Sequence, residues 1–307
     1  MHGKVVRNTG SSYIVRTDDG NMVECRVKGN FRIKGIRTTN PVAVGDGVTV
    51  RDDGEWITAI DERRNYIIRK ASNLSKQSHI LAANIDLALL VVTVARPETS
   101  TTFIDRFLAS AEAYRVPVLI VFNKTDDLGD EEREMLEYLT LVYQHIGYEV
   151  RHISATKGDG VEELKAMMTG KVSLLAGHSG VGKSTLINRL VPGLNLRTAS
   201  ISEAHGTGMH TTTFSALYDM PEGGSVIDIP GIKGFGTFDM EPEEIAHYFR
   251  EIFTVGRGCR FDNCTHTHEP GCAVQQALEN HEIAPSRYNS YLSMLEDKDE
   301  GKYRAAF

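Results

Sequence analysis

Lys171-Val-Ser-Leu-Leu-Ala-Gly177-His178-Ser179-Gly180-Val181-Gly182-Lys183-Ser184-Thr185 is the stretch on which the reading of this 307-residue chain turns. Its apolar start has the length and composition of a buried strand, and Leu186-Ile-Asn-Arg-Leu190 continues as a helix. Between them lies Gly-x-x-x-x-Gly-Lys-Ser, a phosphate-binding loop. Glycines let backbone N–H groups wrap a polyphosphate, and the helix N-terminus adds partial positive charge. In this pattern Gly177 to Thr185 line the phosphates, Lys183 reaches the β- and γ-phosphates, and the Ser184 hydroxyl binds Mg²⁺.

The flanks of the loop indicate a parallel sheet. Ile85–Val94, Pro117–Phe122 and Tyr148–Ile153 read as strands; Thr101–Tyr114, Glu131–Ile146 and Val161–Met168 read as helices. In the first helix Phe103, Phe107, Leu108 and Ala111 fall on one face. Such alternation predicts a doubly covered α/β sheet with function at the strands' C-terminal ends. Asn123-Lys124-Thr125-Asp126 follows one such end, and its carboxylate can accept from both N–H donors of guanine, a pair that adenine lacks. Ser154-Ala155-Thr156 follows the next strand and matches the Ser-Ala-Lys loop of GTPases, with Lys157 one position late. Asp228-Ile-Pro-Gly231 reads as Asp-x-x-Gly, with Asp228 toward Mg²⁺ and the Gly231 N–H toward the γ-phosphate. The polar segment 197–213 ends Met209-His210-Thr211-Thr212-Thr213; one of the three threonines is expected to complete the Mg²⁺ shell.

These motifs stand in an unusual order. The base-recognition elements precede the phosphate loop, whereas ordinary GTPases place them after it. A circular permutation keeps the sheet and the site while moving the chain ends.

Residues 1–70 carry 13 Lys/Arg against 9 Asp/Glu, although the chain has 34 against 41 and a net charge of −7. Five short alternating runs separated by Asp-Gly and similar turns fit a small Greek-key barrel of the oligonucleotide-binding type, a pattern that an SH3-like barrel would share. Arg26, Lys28, Arg32, Lys34 and Arg37 form an acid-free cluster, suited to a polyanion or else an ordinary solvated face. Phe31 either stacks on a base or plugs the barrel mouth, and Cys25, alternating with Val23 and Val27, reads as core.

Beyond residue 240, a helix is expected over Glu241–Phe253, followed by helices at Val274–Glu279 and Pro285–Glu296 and a charged tail. Cys259, Cys264 and Cys272 lie among His266 and His268. Three thiolates and one imidazole make a closed tetrahedral shell for structural zinc. No apolar stretch matches a membrane span and no hydrophobic leader opens the chain, so a cytoplasmic location is expected.

This barrel, permuted motif order and cysteine cluster together resemble the circularly permuted ribosome small-subunit biogenesis GTPase A (RsgA/YjeQ) family over essentially the whole chain. The resemblance implies a barrel (1–70), a permuted GTPase domain (71–240) and a helical zinc domain (241–307). It implies late maturation of the small ribosomal subunit as the task, rRNA as a contact, and subunit-stimulated hydrolysis of GTP to GDP. It assigns the zinc imidazole to His266. Where Ras-like proteins carry a water-orienting glutamine this chain has Ile232, and the resemblance offers His210 as the substitute. A monomer is expected. Two other readings stand beside it: a non-enzymatic, nucleotide-switched RNA-binding module, and a metal-delivering GTPase.

Overall fold

The computed structural model describes residues 1–27, 41–70, 78–196, 214–231 and 240–296. Strands β1 (His2–Asn8), β2 (Tyr13–Thr17), β3 (Met22–Val27), β4 (Gly47–Val50) and β5 (Trp56–Ile60) follow the five alternating runs. They pair in the order β1-β2-β3-β5-β4, and β4 returns to β1. The β3–β5 pairing is parallel and the others are antiparallel. This is the Greek-key closure of an oligonucleotide-binding barrel, which resolves the choice against an SH3-like one. Val5, Tyr13, Val15, Cys25, Val48, Val50 and Ile57 fill its interior. Burial pushes the Cys25 thiol up, in keeping with a core side chain. Arg26 is exposed on β3; Lys28, Phe31, Arg32, Lys34 and Arg37 lie outside the described residues.

Strands β6 (Tyr66–Lys70) and β7 (Ser78–Ala83) form an antiparallel hairpin, and the expected boundary at residue 70 falls between them. Asn65 secures the passage into the next sheet by bonding both ways with the Ile85 backbone, at 2.8 Å each. The buried Arg63–Asp46 pair ties the barrel's exit to its own loop.

The central sheet is built from β8 (Leu87–Val92), β9 (Val118–Phe122), β10 (Glu149–His152), β11 (Val172–Ala176), β12 (Ala216–Asp219) and β13 (Ser225–Asp228). Its order is β10-β9-β8-β11-β13-β12, parallel except for the β12 edge. β8 shows why the fold needs two layers of cover: Ala88, Leu90 and Val92 face one core, and Leu87, Leu89 and Val91 face the other. Helices α1 (Thr101–Ala113) and α2 (Asp130–His145) close the first, and α3 (Val161–Met168) and α4 (Lys183–Leu190) close the second. Strands that precede β11 in sequence lie on one side of it and those that follow lie on the other. The permutation is thus visible as topology. The edge strand β12 meets β1 at Arg7–Ala216, joining barrel and sheet.

The C-terminal helices are α5 (Pro242–Ile245), α6 (Arg250–Gly256), α7 (Ala273–Glu279) and α8 (Pro285–Glu296). The single helix expected over 241–253 is broken: a 3₁₀ turn at Ala246–Tyr248 leads to Phe249 in an extended conformation. The break drives the Phe249 ring into the core, against Tyr291. Hydrophobic burial there outweighs the backbone's preference for one straight helix. Ala109 of α1 belongs to this same C-terminal core, so α1 is shared between the two domains. Among the described residues, no helix is long and apolar enough to cross a membrane.

Candidate nucleotide site and metal centre

Strand β11 delivers the phosphate loop to the C-terminal edge of the sheet, and glycine is required at both of its ends. Gly177 has φ +145°, and a Cβ there would lie 2.2 Å from the Val91 carbonyl. Gly182 has φ +97°, and a Cβ would lie 2.3 Å from Asn123 Nδ2. Lys183 Nζ donates to the carbonyls of Gly177 (2.8 Å) and His178 (2.6 Å), so the ammonium arches over the loop. Burial lowers its pKa to about 8, with nearby Asp228 acting in the opposite direction. Ser184 and Thr185, in the first turn of α4, are half-buried; Ser179 and Gly180 are exposed at the loop's crest. The His178 ring packs on Phe103 of α1 with centroids 3.6 Å apart.

Asp228 ends β13 and is buried. Three residues on, a Cβ at Gly231 would lie 3.2 Å from the Ser179 nitrogen, so the Asp-x-x-Gly turn abuts the phosphate loop. Asn123 joins the motifs from the other side. Its Nδ2 donates to the Val181 carbonyl (2.8 Å), and its Oδ1 accepts from the Ala155 N–H (2.9 Å). Lys124 adopts the left-handed conformation (φ +65°), and its Nζ donates to the Arg96 carbonyl (2.6 Å). Thr125 is held to the Ile153 carbonyl by its N–H (3.3 Å) and hydroxyl (3.1 Å). Asp126 is exposed, presenting its carboxylate outward. Ser154 and Ala155 are buried, and the N–H of Lys157 folds back onto Ser154 Oγ at 3.0 Å. The phosphate loop, Asp228 turn, Asn123–Asp126 turn and Ser154–Ala155 loop therefore converge at one edge. His210, Thr211, Thr212, Thr213 and Ile232 lie outside the described residues.

Two residues at this edge escape motif reading. Arg189 of α4 donates to the carbonyls of Ala155 and Thr156, bracing the loop that follows β10. Arg96 follows β8, and its own carbonyl receives Lys124. Their only sequence signal is position: Arg96 follows a parallel strand's C-terminal end, and Arg189 lies within the helix after the phosphate loop.

In the C-terminal domain the ligand atoms of Cys259, Cys264, His266 and Cys272 all lie within 4.8 Å of one another, and the group can hold a metal ion. Cys259 Sγ is 3.5 Å and Cys272 Sγ 3.6 Å from His266 Nδ1, and the two sulfurs are 3.9 Å apart. A zinc tetrahedron with ordinary bond lengths has edges of about 3.8 Å between sulfurs and about 3.6 Å from sulfur to nitrogen, so Cys259, His266 and Cys272 stand near three of its corners, with the Cys264 sulfur within 4.8 Å of each. Burial pushes the Cys264 thiol up to about 12 and keeps His266 below its ordinary value. The imidazole is thus neutral, while the thiols need a cation to give up their protons. Tyr288 and Gln275 each donate to the His266 carbonyl at 2.7 Å, and Glu269 accepts from the backbone of Thr265, Thr267 and His268. His268 is exposed and stands outside the cluster.

A Gly-x-x-x-x-Gly-Lys-Ser loop after β11, an Asp-x-x-Gly turn after β13 and an Asn-Lys-x-Asp turn after β9, on a sheet whose strand order is permuted, are the marks of a circularly permuted GTPase. The RsgA GTPase family model matches residues 60–238, and the RsgA N-terminal domain model matches residues 2–60. The small ribosomal subunit biogenesis GTPase RsgA of Bacteroides fragilis is 62% identical over the whole of both chains. That of Porphyromonas gingivalis is 58% identical, also over the full length of both. The crystal structure of YjeQ from Thermotoga maritima is similar at a TM-score of 0.73 and 36% identity, over 96% of this chain and 97% of that one. The circularly permuted GTPase YloQ is similar at a TM-score of 0.71 and 29% identity, covering 99% and 96%. The chain belongs to the RsgA GTPase family and is a GTP hydrolase. Membership favours that reading over both the non-enzymatic and the metal-delivering alternatives.

Proposed function

We propose that this chain binds the small ribosomal subunit late in its assembly, and that the subunit stimulates its hydrolysis of GTP to GDP and phosphate. The observation that carries this is the full-length identity to small-subunit biogenesis GTPases, spanning barrel, GTPase domain and metal cluster together. The three-part division at about residues 70 and 240 is part of the same reading. Asp126 accepts from guanine N1–H and the 2-amino group, with Asn123, Lys124 and Thr125 shaping its turn and Ser154–Ala155 backing it. Gly177 to Thr185 cradle the phosphates, and Lys183 leaves the Gly177 and His178 carbonyls to neutralise the β- and γ-oxygens. Ser184, Asp228 and one of Thr211, Thr212 and Thr213 hold Mg²⁺, which supplies further charge neutralisation on the phosphates. The Gly231 N–H meets the γ-phosphate, and His210 orients the attacking water once the ribosome places its segment. Cys259, Cys264, His266 and Cys272 hold a structural zinc. The barrel contacts rRNA through its basic face, which makes binding salt-sensitive. The protein acts as a cytoplasmic monomer.

Cosedimentation with small and large subunits, in GDP and in a non-hydrolysable GTP analogue, tests the reading. Retention on small subunits with the analogue and release with GDP are expected. Equal retention in both nucleotides overturns the switch.

A further inference from the structure

The guanine turn is not held by its own residues alone. Asp126 sits in a short 3₁₀ turn, Thr125–Asp127, between two anchored neighbours. On one side Thr125 is fixed to Ile153, as described above. On the other side lies Arg96, whose Nε donates to Asp127 Oδ2 at 2.9 Å while its Nη2 reaches the Asp127 carbonyl. The same guanidinium forks onto Glu132, Nη1 to Oε1 at 2.6 Å and Nη2 to Oε2 at 2.9 Å. Glu132 in turn accepts from the Gly129 N–H at 2.9 Å, closing the start of α2. The Arg96 main-chain carbonyl takes the Lys124 ammonium. Next to it, the Pro97 ring lies against the phosphate loop, where a Cβ at Gly180 would stand 3.4 Å from Pro97 Cδ. The Arg96–Pro97 turn therefore spans the gap between the phosphate half of the site and the base half.

We propose that Arg96 is a specificity-determining positioning residue, clamping the Asn123–Asp127 turn so that the Asp126 carboxylate meets both N–H donors of guanine at once. This rests on the reading of Asp126 as the base acceptor. Arg96 is 44% exposed, and a lone ion pair at such exposure contributes little. Here one planar guanidinium joins a bidentate carboxylate, a second carboxylate and a backbone carbonyl. That geometry fixes direction as well as distance, and an ammonium cannot reproduce it. A carboxylate aimed at two donors discriminates sharply against a base that offers one. If its turn is loosened, the contact to the 2-amino group suffers before overall phosphate binding does.

The test is equilibrium binding of GDP, IDP and XDP to the full chain and to Arg96→Ala, Arg96→Lys, Glu132→Gln and Asp126→Asn. IDP lacks the 2-amino group, so the ratio of IDP to GDP dissociation constants reports the aim of Asp126 rather than general stability. Arg96→Ala and Arg96→Lys are expected to weaken GDP about tenfold and IDP by about threefold or less, shrinking that ratio. Glu132→Gln, which strips the charged acceptor from the far side of the clamp, should shift the ratio in the same direction. It decides the matter should Arg96→Ala fail to fold. Parallel losses of GDP and IDP, or no loss in any of the clamp variants, overturn the proposal. Asp126→Asn separates the two ideas: it should abolish the preference for GDP over XDP. If it does not, the base reading itself falls; if it does while the Arg96 and Glu132 ratios stay fixed, only the clamp falls.

Discussion

The nucleotide edge of the sheet and the seam between α1 and the C-terminal helices solve opposite problems with polar groups. At the proposed nucleotide edge the backbone sets the geometry: glycines at Gly177 and Gly182, a left-handed Lys124 and carbonyls that take the Lys183 ammonium. At the seam, side-chain charges are buried outright. Arg287, 1% exposed, donates to Asp105 (2.7 Å) and to both oxygens of Glu251 (2.6 and 3.1 Å), beneath the Phe249 ring. Tyr143 adds a bond to Asp105 at 3.0 Å. Burial disfavours the charged guanidinium, but Asp105 and Glu251 outweigh it and hold Arg287 above the ordinary arginine value. The first keeps its polar groups near the surface, within reach of a ligand; the second buries its charges against one another. They meet in α1, which carries Asp105 toward Arg287 and Phe103 toward His178 of the phosphate loop.

The largest effect is expected at the metal cluster. Stripping the cluster with a chelator, or replacing Cys272 with Ser, should unfold the C-terminal domain, because binding of a structural zinc is worth on the order of 10 kcal/mol. Protease mapping should then show new cuts after about residue 250 while the digest of the preceding chain stays as in the intact protein; an unchanged digest and melting curve would contradict the structural role. Next comes the seam. Arg287→Ala strands two buried carboxylates and should cost about 3–5 kcal/mol in denaturant unfolding. Asp126→Asn, at the exposed edge, should change melting little while altering base preference. Reversed outcomes for that pair would erase the distinction between the regions.

A smaller effect is expected in the segment outside the described residues. His210→Ala should lower subunit-stimulated hydrolysis about 100-fold and leave GDP affinity intact, as expected when a water-orienting group is lost. Retention of full stimulated turnover would remove His210 from the mechanism. The mildest prediction concerns Lys183, lowered to about 8 by burial. Above that pH the nucleotide-free protein loses the lysine's charge, whereas bound phosphates keep it protonated. The GDP dissociation constant should therefore rise between pH 8 and 9, approaching tenfold per unit. Stability without nucleotide rises with pH across the same window, because the unfolded chain binds a proton that the folded chain does not. A Lys183→Met variant should flatten the affinity profile; an unchanged slope would show that another group titrates.

What could be read beforehand follows the same division. The Gly-x-x-x-x-Gly-Lys-Ser loop, the Asn-Lys-x-Asp turn and the cysteine cluster are legible as patterns because close backbone approach and metal geometry favour particular residue types at fixed local spacings. The barrel strands and the helices of the central sheet follow hydrophobic period, and their ends fall within a few residues of expectation. The seam left no such trace. Asp105 and Arg287 stand 182 residues apart, and no periodicity marks them as partners. Asp105 and Arg106 lie off the apolar face of α1 that carries Phe103 and Phe107, and nothing local announces that the C-terminal helices will bury them. The break at Phe249 is illegible for the same reason: it serves a ring whose pocket is formed by Tyr291 of α8. Arg96 falls between the two cases, since its place after β8 flags the site but its partners come from the turn and helix after β9.

A guanine-nucleotide site of this construction should fire on the small ribosomal subunit. Phosphate release from GTP, measured for the full chain alone, with purified small subunits and with large subunits, tests it most directly. Slow release is expected alone and with large subunits, and a rate rising at least tenfold and saturably with small subunits. An equal rate in all three conditions would contradict it.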